Sequence, residues 1–415
     1  MNENTTVLPA PARGVHHQSA MRSSPVSTDY NVALGYLRAF LIMLVVAHHA
    51  VLAFHPFAPP PPASLVTQPR FWQAFPVVDA SRSAFFAWFV GFNDTFFMAL
   101  MFFLSGLFVG PSIKRKGTAG FLRSRFLRLG IPFLVAVLLS PLAYFPAYLQ
   151  STAKPAMVDF WQQWRALGNW PLGPAWFLSV LLAFDCVAAA LFSCWPRWAE
   201  ALRARRPATC RGATEFFFML VGLSTLAYVP MVLKFGSFHW TSFGPFTFQT
   251  SRILHYGIYF VAGILLGAPT VQRNFLEPKG GLAQRWPVWV AGALGAFVLS
   301  AAIVILVLSN PAKAQTWELL GSFAFVISCA TSCLAFLSLF LRFAAARKTV
   351  CDNLGRNAYG IYLLHYAFVT WVQYSLLRLA LPALAKGALA FLCAFALSWG
   401  ASNLLRRIPA AAKVI

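Results

Sequence analysis

Apolar residues along this chain come in blocks about twenty residues long, each closed by a short polar, basic or proline-rich stretch. The first block spans 31–54, and its core from Leu37 to His49 is hydrophobic on every face except where Arg38, His48 and His49 fall. A helix lying on a surface would carry a continuous polar stripe; this one does not, so it reads as a membrane span. Further blocks follow at roughly 88–110, 127–149, 174–195, 214–235, 252–269, 286–309, 317–342, 358–379 and 383–405. The pattern predicts an all-α, polytopic membrane helix bundle with about ten transmembrane helices. Block 127–149 holds Pro132, Pro141 and Pro146 and should be kinked, because each proline removes a helix hydrogen bond.

Between the blocks the chain changes character. Residues 1–30 carry Pro9, Pro11, Pro25 and several Ser and Thr without an apolar run, so they are expected to be a disordered cytoplasmic tail and not a cleavable signal. The membrane domain is then 31–405, followed by a short cytoplasmic tail at 406–415. The interval 55–87 contains Pro59, Pro60, Pro61 and Pro62, an extended segment, followed by Phe71, Trp72 and Phe75, which could lie on the membrane surface. With 59% hydrophobic and 11% charged residues, the composition excludes an ordinary soluble domain. The net charge of +22 invites a nucleic-acid partner, but Lys and Arg sit in short intervals between apolar blocks, a pattern that fixes membrane orientation. No nucleic acid is expected. Counting Lys and Arg by alternate compartments places both termini in the cytoplasm, in a multi-pass inner-membrane protein. All seven cysteines then fall within spans or on the cytoplasmic side, as in a chain without structural disulfides. Cys329 and Cys333, one helical turn apart, read as packing, and no metal site is expected.

Candidate chemistry begins with Arg38, since an arginine inside hydrocarbon costs about 2.5–3.5 kcal/mol and calls for a function or a partner. Eleven helical steps bring His49 to within roughly 20° of Arg38 and about 16 Å further along the same face, whereas His48 points elsewhere. Asp94 matches His49 in depth on a returning helix, where a carboxylate would fix the imidazole tautomer and raise its basicity; the alternative is that it faces outer water. Asp185 lies mid-block, too deep for solvent, and should pair with a cation or hydrogen-bond donors, for which Arg38 is a candidate. His365 sits beside Tyr362 and Tyr366 in the inner half of its block. Arg125 and Arg128, near Lys114, Arg115 and Lys116, serve either orientation and anionic lipid or the bidentate holding of phosphates. His255 and Glu318 could contact an external acceptor, but both are shallow enough to be merely solvated. The external aromatics Phe160, Trp161, Trp164, Trp170, Phe238 and Trp240 form either an interfacial belt or a platform for sugar rings.

Five motifs occur in order: Arg38 and His49 with ten residues between them, Phe96 to Gly106, Arg125-Phe126-Leu127-Arg128 followed by Pro132, Gly173-Pro174-Ala175-Trp176-Phe177-Leu178, and Tyr359-Gly360-Ile361-Tyr362-Leu363-Leu364-His365. Together they resemble the acyltransferase-3 family of integral membrane enzymes that acylate sugars and glycans. The resemblance runs from about 31 to 405, without the esterase-like soluble domain that some members append. It implies transfer of an acyl group, acetyl by analogy, from cytoplasmic acyl-coenzyme A to a hydroxyl of an outward-facing carbohydrate or glycan. Acyl-coenzyme A would be a co-substrate, with no cofactor bound permanently. His49 would act as general base or covalent acyl carrier, with Arg38 and Asp94 beside it. Arg125, Arg128 and Ser105 would hold the donor, and Asp185, Trp176, Tyr362 and His365 would line a further pocket. The rival class is a transporter or lipid-linked glycan flippase, in which the same polar residues line a path. Such proteins tend to repeat their halves, and this sequence shows no convincing repeat.

Overall fold

The computed structural model describes residues 32–195, 212–267, 275–278, 280–309 and 314–414. The expected tail at 1–30 lies outside them. The chain forms α1 (Val32–Val51), α2 (Ala84–Gly106), α3 (Val109–Arg125), α4 (Ile131–Ser151), α5 (Met157–Ala166), α6 (Trp176–Cys194) and α7 (Ala213–Phe235). A hairpin of β1 (Trp240–Phe243) and β2 (Phe246–Gln249) follows, then α8 (Ile253–Leu266), α9 (Trp286–Ser309), α10 (Ala314–Phe343), α11 (Thr349–Leu376) and α12 (Ala383–Leu405). Leucines such as Leu138 and Leu226 face outward all around the bundle, as they must where the solvent is lipid.

Among the described residues, eight helical segments are long and apolar enough to cross a membrane. Two expected spans fall outside that set for different reasons. Helix α8 is only 14 residues long. Helix α11 has 28 residues but carries Asn357, Thr370 and Gln373, which lower its hydropathy. Those side chains are buried against protein, where they find partners, so the helix is polar by composition yet packed through the middle of the bundle between α1, α4 and α12. Close approach of α2 and α8 depends on glycine. A Cβ on Gly106 would run into the Phe260 carbonyl, and one on Gly263 into that of Phe103.

The basic stretch after α2 differs from the expected loop. It is helix α3, broken at Gly117 (φ 70°) and joined to α4 through a π-helical turn at Phe126–Gly130. Prolines 141 and 146 do lie inside α4. The end of the bundle carrying α3 and the start of α1 is called the basic end below.

At the opposite end, residues 55–83 fold into a cap, with Trp72 buried instead of lying on a surface. Polar threads hold it. Gln150 on α4 brackets Val78, accepting from its N–H at 3.0 Å and donating to its carbonyl at 2.5 Å. Gln163 on α5 accepts from Leu65 N–H at 2.8 Å, and Arg70 donates to Asn169 at 2.6 Å. Lys386, at the start of α12, reaches Asp79 at 2.6 Å, each side chain 3% exposed.

Candidate active site

His49 lies two residues before α1 ends at Val51, where the helix meets α11. Its Nδ1 is 2.7 Å from the Val45 carbonyl. A carbonyl oxygen only accepts, so Nδ1 carries the proton and Nε2 of the neutral ring keeps a free lone pair. His365 on α11 repeats the arrangement, with Nδ1 2.6 Å from the Tyr362 carbonyl and a buried Nε2 that has no hydrogen-bond partner. The two ring centroids are 5.2 Å apart. Two imidazoles, each with one nitrogen fixed by its own helix and the other unclaimed, therefore share one small space.

The surroundings hold that geometry. Gln373, two turns beyond His365, donates to the His49 and Ala50 carbonyls at 2.8 and 3.0 Å, locking the end of α1 onto α11. Tyr366 stands edge-on to His49 at 5.4 Å and donates to Tyr144 Oη at 3.1 Å, which in turn donates to the Gln73 carbonyl of the cap. Tyr362 donates to the Pro174 carbonyl at 2.6 Å. Gly173, at φ 53°, lies so close under Tyr366 that a Cβ there would overlap the ring. The turn before α6 is thus pressed against Tyr366, the residue edge-on to His49, and glycine is what allows it.

Arg38 is exposed and, among the described residues, has neither an ion pair nor a hydrogen bond. It stands eleven residues from His49 toward the basic end. The His48 ring stands edge-on to that of His49 at 5.3 Å and stacks on Phe97 at 5.2 Å, and its buried Nδ1 has no hydrogen-bond partner among the described residues.

Two expected pairings are not present. Asp94 does not meet His49; its carboxylate binds Arg252 at 2.7 Å, and Arg252 also donates to the Asp94 carbonyl at 3.1 Å. Asp185 does not meet Arg38; it pairs with Arg125 Nε at 3.2 Å. In both cases a nearer guanidinium, at the head of α8 or the foot of α3, takes the carboxylate. Arg128 is exposed in the π turn, and its carbonyl accepts a hydrogen bond from Tyr359. Ser105 returns its hydroxyl to the Met101 carbonyl of its own helix at 2.8 Å. Trp176 is layered on Tyr256 at 6.0 Å with Trp240 edge-on at 5.6 Å, so it packs beneath the hairpin.

Depths change too. Because α11 begins at Thr349, nine residues before the expected start, His365 lies level with His49 instead of near the basic end. His255 is fully buried, with Nε2 3.5 Å from Cys329 Sγ, so it is not a solvated group and that cysteine does have a histidine neighbour. Glu318 accepts from Ser237 at 3.2 Å. Among the described residues no three His, Cys, Asp or Glu side chains converge as metal ligands would. Gln373 and Tyr144 were not singled out from the sequence, although an amide inside an apolar block two turns from a histidine is a signal of the same kind as His365.

No solved structure matches the chain significantly. Among curated proteins it is similar to the glucans biosynthesis protein C of Salmonella gallinarum, of Salmonella schwarzengrund and of Salmonella typhimurium, each 24% identical over 275 residues. The match covers 63% of this chain and 64% of each relative, so the chain spans less than two thirds of their length. A family model described as an acyltransferase domain matches residues 31–403, which takes in the histidine pair, Arg38 and the π turn alike. This multi-pass membrane chain belongs to the acyltransferase-3 family.

Proposed function

We propose that the protein is an inner-membrane O-acyltransferase that moves an acyl group from cytoplasmic acyl-coenzyme A to a hydroxyl of an outward-facing glucan. The observation that carries this reading is His49 Nε2, fixed in place by the Nδ1 hydrogen bond to Val45 and, like Arg38 on the same helical face, without a partner among the described residues. The basic end then faces the cytoplasm and the cap faces outward, consistent with the basic side chains of α3 beside that end. The glucan acceptor comes from the printed names of the relatives.

The chemistry follows from the two ends of α1. Guanidinium forks suit the phosphates of a nucleotide thioester, and Arg38, Arg128 and the Asp185-paired Arg125 offer three at the basic end. The thioester carbonyl meets the histidine pair. As the acceptor oxygen attacks that carbonyl, its proton passes to His49 Nε2, the C–S bond breaks, and the imidazolium returns the proton to the departing coenzyme A thiolate. Alternatively Nε2 attacks the thioester carbonyl first, the C–S bond breaks as coenzyme A leaves as thiolate, and the acyl-imidazolium passes its acyl group to the hydroxyl, whose proton goes to that thiolate. His365, with the second free Nε2, can relay a proton in either sequence. Asp94 has no part in this scheme, because its carboxylate is held by Arg252. Ser105 serves as packing toward the donor side, and Trp176 as packing beneath the hairpin at the capped end.

The test is release of free coenzyme A thiol from acetyl-coenzyme A by the purified protein in nanodiscs, with and without gluco-oligosaccharides. Acceptor-dependent release with formation of a sugar ester is the expected result. No consumption of any acyl-coenzyme A would overturn the reading and favour transport.

A further inference from the structure

At the capped end, the turn of the β-hairpin at Gly244 leans toward α5 and the segment that follows it. Between them lies an open cleft of about 400 Å³, lined by Trp161, Trp164, Arg165, Asn169 and Trp170. Its walls are indoles. Trp170 stands edge-on to Trp164 at 5.9 Å and is anchored by Nε1, which donates to the Val137 carbonyl at 2.8 Å and to Ser140 at 2.7 Å. Trp161 is 41% exposed and stands edge-on to Phe160 at 5.2 Å.

The polar groups of the cleft divide in two. Asn169 is fully engaged, accepting from Arg70 and exchanging hydrogen bonds with Gln73, so it braces the rim. Arg165 is different. The acid on its own helix, Asp159, is held by Tyr148 and Gln163 at 2.9 Å each, and among the described residues Arg165 has no partner at all. An exposed indole beside a free guanidinium is a poor bed for a lipid chain, which would leave the cation unsolvated. It suits a ring with apolar C–H faces and a perimeter of hydroxyl acceptors.

The cleft also adjoins the histidine pair. Its buried indole, Trp164, packs on Tyr144 at 6.3 Å; Tyr144 accepts the Tyr366 hydroxyl; and Tyr366 stands against His49. We infer that this cleft is a carbohydrate subsite that holds sugar units flanking the one to be acylated, with Trp161 as the stacking platform and Arg165 as the hydroxyl-binding arm. The inference rests on the acyltransferase reading for the role of the bound glycan, but not for its binding.

The experiment measures binding directly. Saturation-transfer NMR follows cellotetraose, laminaritetraose and maltotetraose on the full-length protein in nanodiscs, without donor. Wild type is expected to bind at least one of them. Trp161→Ala should weaken that binding about three- to tenfold, Trp161→Tyr should keep most of it, and Arg165→Ala should weaken it independently. Both side chains are exposed, so the fold tolerates their removal. In turnover, the same variants should raise the acceptor KM and leave the KM for acetyl-coenzyme A unmoved. If wild type binds none of the three sugars, or if the Trp161→Ala/Arg165→Ala double variant binds them as wild type does, the subsite is overturned, whatever the donor assay shows. Binding that depends on Trp161, in a protein that consumes no acyl-coenzyme A, upholds the subsite and removes the acyltransferase reading alone.

Discussion

His48 and His49 are neighbours in sequence, and each keeps a ring nitrogen without a hydrogen-bond partner among the described residues, but their rings face different neighbours. His49 commits Nδ1 to Val45 and shares its space with His365, whereas His48 lies flat on Phe97. His49→Ala should therefore lower acyl transfer by at least about 10²-fold at equal membrane abundance, as loss of a general base does, while His48→Ala keeps substantial activity. Quantifying sugar ester per inserted protein separates the two, and equal losses would contradict the assignment. At this scale the sequence carried the Arg38–His49 spacing, because helical geometry alone puts both on one face. It did not carry the partners of Asp94 and Asp185. Pairing depends on where α8 and α3 end, and a carboxylate takes whichever guanidinium the packing brings within reach.

Elements show the same division between local and distant causes. Most of the spans were legible because twenty apolar residues suffice to define one. Helix α11 was placed too late in the sequence because its opening turns are polar, with Asn357 hydrogen-bonded to Asn353 and Asn403. The cap at 55–83 was not legible at all, since the glutamines and the lysine that hold it come from α4, α5 and α12. Lys386→Ala should accordingly destabilise the protein by about 3–5 kcal/mol, by leaving the Asp79 carboxylate buried and unpaired, whereas Asp79→Leu with Lys386→Met should recover most of the loss. Thermal unfolding followed by size exclusion in detergent reads both. The cap is also sensitive to pH through His55, whose pKa is lowered by burial first and by nearby Arg82 second. Its ring accepts the Phe57 N–H at 3.2 Å, which only the unprotonated Nδ1 can do. Below about pH 6.5 the unfolded chain takes up a proton that the folded cap resists, so cap stability should fall with decreasing pH until the depressed folded-state pKa is passed. Hydrogen exchange over 55–83, corrected for intrinsic rates, should show faster opening at the lower pH, and His55→Gln should flatten the dependence.

For the whole molecule, the reading requires the α3 side of the bundle to be cytoplasmic and the cap to be external. Single cysteines at Lys116 and Ala63 in intact cells should label with an impermeant maleimide only at the cap position; the reverse pattern would invert the proposed donor side. Polytopic character was legible from composition, because few charges among long apolar runs leave no soluble alternative. The histidine pair was not, since it joins two helices more than three hundred residues apart, and nothing local specifies that neighbour. One consequence follows from the rigid first helix. Its guanidinium and its imidazole are separated by about 16 Å of hydrogen-bonded backbone that cannot stretch, so α1 acts as a ruler that selects donors by reach. A thioester long enough to span that gap engages both marks at once; one cut back to the short thiol arm touches only the imidazole. Arg38→Ala should then raise the KM for acetyl-coenzyme A and leave that for an acetyl-cysteamine thioester unchanged, and equal sensitivity of the two donors would show that the helix measures nothing.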